Sequence, residues 1–182
     1  STSISLGLGM AAARDLNGED YNVVSIIGDG AMTGGIAFEA LNNVSSLNSK
    51  MIVILNDNEM SISKNTGGFP KYLSKLRGSG KYVSIKSQIK KNVLKVPVIG
   101  EGVVAGMKHA RDSIKYAMID GIMFEELGFK YFGPIDGHDI QELCETLELA
   151  KNYHKPVFIH VMTKKGKGYS LNTIFCKIYI NL

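Results

Sequence analysis

The pattern of apolar and polar residues along the chain switches between the spacing of strands and that of helices. Residues 21–27 and 51–55 form short, almost wholly apolar runs rich in β-branched side chains, which are typical of parallel strands buried on both faces. Between them, residues 33–47 carry apolar side chains at helical spacing along one face: Ile36, Ala40, Leu41, Val44 and Leu47. These three segments predict a βαβ unit, in which a helix connects two parallel strands.

The rest of the chain continues this alternation. It predicts a helix over 3–16 that ends at the Asn17-Gly18 turn, a helix over 103–119, a turn over 123–127, and strands over 129–132 and 156–162. Asp139 and Glu142 have the spacing of a capping box, ahead of an apolar stripe formed by Ile140, Leu143, Leu147 and Ala150. The pattern therefore predicts an α/β fold with a mostly parallel sheet flanked by helices.

Composition places the chain among ordinary globular proteins. Its 182 residues suit about one domain, and 45% apolar with 21% charged residues excludes wholesale disorder. No apolar run approaches the roughly 18 residues that a membrane-spanning helix needs, and no signal peptide opens the chain. The cysteines Cys144 and Cys176 form neither a disulfide framework nor a metal-binding spacing. We therefore expect a soluble, cytoplasmic protein.

Positive charge is concentrated in one segment. The formal net charge of +4 is too small to indicate nucleic-acid binding, but residues 64–100 contain nine basic residues and no acidic one. We expect a solvated basic surface there, and attraction of an anionic small substrate remains the alternative.

The candidate chemistry lies where the first two predicted strands end. Gly28-Asp29-Gly30 follows one strand, and Asn58 follows the other, 29 residues after Asp29. Because parallel strands end at the same edge of a sheet, both side chains are expected at one site. Their hard oxygen atoms, with a main-chain carbonyl, suit Mg²⁺ and a phosphate-bearing guest. Gly30 and Ala31 permit close backbone approach, and the N-terminus of the following helix is expected to face the diphosphate.

These residues carry a resemblance to a known family. GDG followed by Asn58 is similar to the thiamine diphosphate motif of transketolase-like enzymes. The longer blocks GDGAMTGGIAFEALNN, VILNDNEMSIS, FKYFGPIDGHDI and TKKGKGY resemble the 1-deoxy-D-xylulose-5-phosphate synthase family, in register from residue 1 to about 169. The resemblance implies that Asp29 and Asn58 ligate Mg²⁺ together with the backbone carbonyl of Met60. It further implies that the cofactor contacts comprise those residues and Gly30, Ala31 and Tyr169.

The resemblance also implies an activity. Members of the family use thiamine diphosphate and Mg²⁺ to condense pyruvate with glyceraldehyde 3-phosphate, with loss of carbon dioxide, and the product feeds isoprenoid (terpenoid) and thiamine biosynthesis. They are homodimers, and their catalytic glutamate belongs to a second domain, so we expect the isolated chain to be inactive. Two alternatives remain: another transketolase-like enzyme, and a truncated fragment without catalytic function.

The two ends of the chain depart from the family pattern. The chain begins just after the family's Gly-His-Ser segment, so residues 1–169 are expected to form a thiamine diphosphate- and Mg²⁺-binding domain that is incomplete at its N-terminus. Residues 170–182, SLNTIFCKIYINL, have no counterpart in the family. A frameshifted or prematurely ended reading frame is one hypothesis for this tail.

The histidines and the lysine-rich loop have simpler interpretations. His138 beside Asp139 suggests an acid–base pair, but a capped helix preceded by a glycine turn explains the segment. For His109 and His160 we expect core or surface roles. The loop lysines Lys164, Lys165 and Lys167 either attract phosphate or are merely solvated.

Overall fold

The computed structural model describes residues 1–47, 49–60, 67–78 and 121–168. Four strands form one sheet in the order β1-β2-β4-β3, and every neighbouring pair runs parallel. The strands are β1 (Val24–Gly28), β2 (Ile52–Asp57), β3 (Lys130–Asp136) and β4 (Val157–Met162). The predicted mostly parallel sheet is therefore observed, and its third strand is longer than the sequence pattern predicted.

Helices connect and flank these strands. They are α1 (Ser3–Asn17), α2 (Gly35–Leu47), α3 (Gly68–Gly78), α4 (Ile122–Glu126) and α5 (Ile140–Lys151). Helix α1 ends at the predicted turn, where Gly18 adopts the left-handed conformation with φ of 67°. The helix predicted over 103–119 lies outside the described residues. In the part of the chain that the structure describes, no helix is both long and apolar enough to cross a membrane.

One face of the sheet carries the larger core. Helices α1, α2, α3 and α4 pack there against inward-facing strand residues such as Val53, Leu55 and Phe158. An aromatic cluster joins α4 to the sheet in this core. Phe124 of α4 stacks on Phe158, with ring centroids 3.7 Å apart, and on Tyr131, with ring centroids 5.7 Å apart. The short helix α4 is thus held by side-chain packing rather than by its own length.

Among the described residues, α5 covers one end of the other face. Leu143 and Leu147 of α5 pack over the apolar residues of β2, β3 and β4. Strand β1 is not covered in this way, since Val24 is 47% exposed and Ile26 is 62% exposed. The prediction that the first strand is buried on both faces is therefore wrong for this face, because burial depends on helices that the local sequence does not reveal.

In two helices, fewer of the predicted apolar residues are buried than expected. Helix α2 begins at Gly35 rather than near residue 33, after a 3-10 turn at Ala31–Thr33. It buries Ala37, Ala40, Leu41 and Val44, whereas Ile36 and Leu47 at its ends are about half exposed. In α5, Ile140 in the first turn is 66% exposed, whereas Leu143 and Leu147 pack against the sheet.

The predicted cap of α5 is present. The Asp139 side chain accepts a hydrogen bond of 3.0 Å from the Glu142 amide. We expect Asp139→Ala to lower the free energy of unfolding by about 1 kcal/mol, because a helix-terminal amide loses its acceptor. Urea denaturation measures this loss. Asp139→Asn, which retains a capping oxygen, is the control, and equal stability of all three proteins would contradict the prediction.

Candidate functional site

The carboxyl ends of β1 and β2 bring the two predicted loops together. Gly28 pairs with Asn56 in the parallel register, and the Asp29 amide donates to the Asn56 carbonyl at 3.3 Å. Asp29 on one strand and Asp57-Asn58 on the next therefore leave the sheet side by side. The predicted opening of both loops on one edge is confirmed.

Asp29 lies in a buried and negatively charged position. Its exposed fraction is 5%, and burial raises its pKa, with a further increase from the carboxylate of Asp57. Hydrogen bonds from the backbone amides of Gly30 and Asp29 and the charge of Arg77 act in the opposite direction. Two carboxylates close together at a buried edge favour a cation, which relieves their repulsion.

Asn58 lies in a tight turn directly after β2. Its Oδ1 accepts the Met60 amide at 3.0 Å, and Glu59 between them has a left-handed backbone with φ of 58°. An amide oxygen has two lone pairs, so Asn58 keeps acceptor capacity after this bond. The donor set of one carboxylate, one amide oxygen and the Met60 carbonyl consists of the oxygen ligands that Mg²⁺ prefers, and it fits that ion.

The segment after Asp29 forms a second compact turn. Gly30 caps the 3-10 turn, and the Thr33 hydroxyl donates to the Gly30 carbonyl at 2.7 Å. Ala31 is exposed at the start of this turn. The backbone that the sequence assigns to a diphosphate is thus a 3-10 turn leading into α2, rather than the first turn of the helix itself.

The sequence analysis missed a polar network behind Asn58. Asp57, with a side chain that is fully buried, accepts hydrogen bonds from Arg77 at 2.6 Å and from His160 Nε2 at 2.9 Å. His160 Nδ1 in turn lies 2.9 Å from the Tyr131 hydroxyl. Since an ionised carboxylate can only accept, His160 donates from Nε2 to Asp57, and its Nδ1 shares a hydrogen bond with the Tyr131 hydroxyl. His160 is thus a core residue, as expected, but one linked to the site through Asp57.

The network also fixes the charge of Asp57. Burial alone would raise its pKa, but the hydrogen bonds from His160 and Arg77, together with the charges of Arg77 and His160, outweigh burial and lower the pKa. Asp57 is therefore an anion at neutral pH, beside a second carboxylate at Asp29. Its position directly before Asn58 was the available signal in the sequence, but nothing local distinguished it from an ordinary strand-end residue.

The basic segment contributes Arg77 to this site. Arg77 Nε lies 2.8 Å from Glu59 Oε1, in addition to the contact with Asp57. The expectation of a solvated basic surface is therefore wrong for Arg77, whose side chain is only 21% exposed, but Lys71 and Lys75 are exposed. The other six basic residues of the segment lie outside the described residues.

The lysine-rich loop starts at the same edge of the sheet. The Thr163 amide donates to the Asp57 carbonyl at 2.9 Å, and the Lys164 amide donates to His138 Nε2 at 2.8 Å. His138 thus anchors the loop, and Asp139 beside it caps a helix as expected. Lys164, Lys165 and Lys167 are all exposed. Tyr169, the remaining predicted cofactor contact, lies outside the described residues, as does His109.

Comparisons with known proteins identify the family of this chain. A family model described as 1-deoxy-D-xylulose-5-phosphate synthase matches residues 1–163. The chain belongs to the 1-deoxy-D-xylulose-5-phosphate synthase family. Its relatives of that name include those from Clostridium tetani, 53% identical over 169 residues, and from Carboxydothermus hydrogenoformans, 54% identical over 169 residues. Each match covers 93% of this chain but only 27% of the relative.

A solved structure shares the fold of this 1-deoxy-D-xylulose-5-phosphate synthase family member. The crystal structure of transketolase from Campylobacter jejuni superposes with a TM-score of 0.57 at 22% sequence identity, covering 94% of this chain and 21% of that one. The similarity supports the α/β assignment and the parallel sheet. The resemblance read from the sequence blocks is therefore confirmed at the level of family and fold.

Proposed function

We propose that this chain supplies the diphosphate- and Mg²⁺-binding part of a thiamine diphosphate-dependent transferase that makes 1-deoxy-D-xylulose 5-phosphate. One observation carries the proposal: Asp29 and the Asp57-Asn58 pair leave neighbouring parallel strands at the same edge. Family membership supports the reaction. The chain spans 27% of its curated relatives, so the full activity is assigned to the longer enzyme.

In this proposal the site residues divide into two groups. Asp29, Asn58 and the Met60 carbonyl ligate Mg²⁺, and the buried position of Asp29 supports this role because a cation compensates its charge. Gly30 and Ala31 contact the diphosphate through their backbone in the turn before α2. Tyr169 is proposed as a further cofactor contact on the basis of the family resemblance.

The proposed reaction joins pyruvate to glyceraldehyde 3-phosphate. Pyruvate loses its carboxylate as carbon dioxide, and the carbonyl carbon of the remaining two-carbon unit forms a bond to the aldehyde carbon of glyceraldehyde 3-phosphate. One proton is taken up, which balances the equation. When bound, thiamine diphosphate supplies the electron sink that makes the loss of carbon dioxide possible. The residues of this chain would hold the diphosphate and the metal in position during the reaction, and their oxygen atoms would keep the cation fixed.

The wider features of the proposal rest on the family resemblance. The catalytic glutamate belongs to another domain, so we propose that the isolated chain binds the cofactor without turning over. We also propose a homodimeric full-length enzyme in the cytoplasm, and the free, exposed thiol of Cys144 agrees with a reducing compartment. The competing proposal, a truncated chain that folds without binding cofactor, predicts no titration by Mg²⁺ and thiamine diphosphate.

The variant Asp29→Asn tests the proposed metal site. We expect the affinity for Mg²⁺ in the presence of thiamine diphosphate to fall about 100-fold, since a neutral amide replaces the anionic ligand. Isothermal titration calorimetry on the 182-residue chain measures this change. Asp20→Asn, which neutralises an exposed aspartate before β1 at the other end of the strand, should leave the affinity unchanged.

The same variant has a second expected effect that excludes misfolding. Folding raises the pKa of Asp29. At pH values above the unfolded-state pKa, the ionised side chain therefore destabilises the folded state. In EDTA at pH 7, Asp29→Asn should therefore be more stable than the wild type, by about 1 kcal/mol. The difference should vanish in acid. Equal metal binding by both proteins would remove Asp29 from the site.

A further inference from the structure

Arg77 bridges the two residues that flank Asn58. Its NH1 group lies 2.6 Å from Asp57 Oδ2, and its Nε lies 2.8 Å from Glu59 Oε1. Asp57 ends β2, and Glu59 is the residue with a left-handed backbone in the turn. A single planar guanidinium therefore holds the carboxylates on both sides of Asn58, a geometry that its fork of donors permits.

The first of these carboxylates is itself fixed from behind. Asp57 has no exposed side-chain surface, and His160 of β4 donates to its Oδ2. His160 is fully buried and contacts Tyr131 of β3. Asp57, the contact point of Arg77, is thus tied to β4 through His160 and from there to β3 through Tyr131. Arg77 therefore joins α3 to a side chain that is fixed within the sheet.

Among the described residues, few other contacts hold the turn between the two carboxylates. A non-glycine residue with φ of 58° is disfavoured on its own, and Glu59 has a side chain that is 67% exposed. Within the described residues, the contacts of this turn include the Asn58–Met60 hydrogen bond, a 3.4 Å contact from the Glu59 amide to Asp57 Oδ1, and the pairing of Glu59 with Arg77. The first two contacts lie within the turn itself, and the pairing with Arg77 joins the turn to α3.

We propose that Arg77 is a positioning residue that sets the direction of the Asn58 amide oxygen by bridging Asp57 and Glu59, with His160 holding Asp57 in place. The inference rests on the proposed function, since it concerns Asn58 as a metal ligand. It assigns a role to a residue of α3 that lies 19 positions beyond Asn58 in the chain and outside the proposed ligand set.

The direction in which Mg²⁺ affinity changes when Arg77 is replaced distinguishes a positioning role from a purely electrostatic one. Arg77 is a cation close to a proposed divalent metal site, so removing its charge should strengthen Mg²⁺ binding if charge were its whole contribution. A positioning role predicts the reverse. We expect Arg77→Gln to weaken Mg²⁺ binding about tenfold in the presence of thiamine diphosphate. Arg77→Lys can pair with one carboxylate at a time, so its Mg²⁺ affinity should lie between those of the wild type and Arg77→Gln.

A measurement without ligand tests the positioning directly. Hydrogen exchange by NMR follows the Met60 amide, which donates to Asn58, and the Val53 amide in the core of β2 reports global opening. We expect the Met60 amide of Arg77→Gln to exchange about tenfold faster relative to Val53 than in the wild type. Glu59→Gln should show part of this acceleration.

Arg14→Gln is the matched control. Arg14 is also a largely buried arginine, paired with Asp15 and bonded to the carbonyls of Tyr21 and Lys50 at the opposite edge of the sheet. Its replacement should destabilise the whole chain but leave the ratio of Met60 to Val53 exchange unchanged. A similar ratio in Arg77→Gln and Arg14→Gln would overturn the inference.

The two proposals fail in different ways. If Arg77→Gln leaves the Met60 amide protected, or binds Mg²⁺ more tightly than the wild type, the positioning role is overturned while the metal site stands. If the wild type shows no titration by Mg²⁺ and thiamine diphosphate, the proposed function fails. In that case the exchange ratio still decides whether Arg77 orders the turn.

Discussion

Phe124→Ala is expected to lower the free energy of unfolding by about 4 kcal/mol, close to the largest loss for a single core truncation. Phe124 is fully buried and stacks on Phe158 and Tyr131. It also meets Phe69 of α3 edge-on at 6.4 Å. Its removal leaves a cavity between α4, α3 and the sheet that rigid strands cannot close. Urea denaturation followed by circular dichroism measures the loss.

Two control variants test whether the loss of stability comes from the lost volume of Phe124. Phe124→Leu retains most of the volume and should cost about 1.5 kcal/mol. Leu6→Ala removes an apolar side chain that is 67% exposed, and it should change the stability by no more than about 0.5 kcal/mol. If Phe124→Ala were as mild as Leu6→Ala, the aromatic cluster would not hold α4 to the sheet.

Asp57→Asn is expected to cost about 3 kcal/mol at pH 7, because it removes the anion from a buried network and leaves His160 and Arg77 facing a neutral group. This value is at the lower end of the range for breaking buried pairs, since Arg77 is 21% exposed and keeps Glu59 as a partner. Chemical denaturation at pH 7 measures the loss. Glu148→Gln, which removes an exposed ion pair with Lys151, should cost less than about 0.5 kcal/mol.

The cost of Asp57→Asn should depend on pH in one direction. Folding lowers the pKa of Asp57, so its ionised form contributes stability at pH values above the unfolded-state pKa, near 3.8. That contribution is lost as the pH falls through the lower, folded-state pKa. The stability difference between wild type and variant should therefore be constant from pH 7 to about 5 and shrink below about 4. A difference that stays constant to pH 2 would mean that Asp57 does not titrate with folding.

The main elements of the fold were predictable because their signals are local. The apolar run ending at Gly28 predicts a strand through its β-branched residues, and Asp139 with Glu142 predicts the cap that the structure contains. The pairing of the Asp29 and Asn58 loops followed from topology, since parallel strands joined by a helix end at one edge. This much of the candidate site required no tertiary information beyond strand direction.

Burial was less predictable than secondary structure. Val24 and Ile26 have the character of core residues, yet they are exposed at the edge strand of the described sheet. An apolar run predicts that a strand can be buried, but whether a helix covers each face depends on elements elsewhere in the chain. Ile36 and Ile140 likewise belong to apolar stripes, yet at least half of each side chain is exposed.

The charged network shows the limit of sequence reasoning most clearly. Arg77 lies 20 residues after Asp57 in a run of basic residues, and His160 lies 103 residues after it in an apolar strand. Neither spacing carries a signal, because the contacts arise from the parallel register of β2 with β4 and from the packing of α3. A solvated lysine-rich surface and a lone core histidine were the natural interpretations of those residues.

The sequence by itself determined the strands, the helices, the family and the edge at which Asp29 and Asn58 meet, because each depends on local patterns, motif wording or the direction of parallel strands. Only the tertiary structure decided which of the surrounding charges support that site. Asp57 acquires its buried anionic character, and Arg77 its two partners, when three strands and α3 come together. Hydrogen bonds and burial act between residues that are close in space, whatever their separation along the chain.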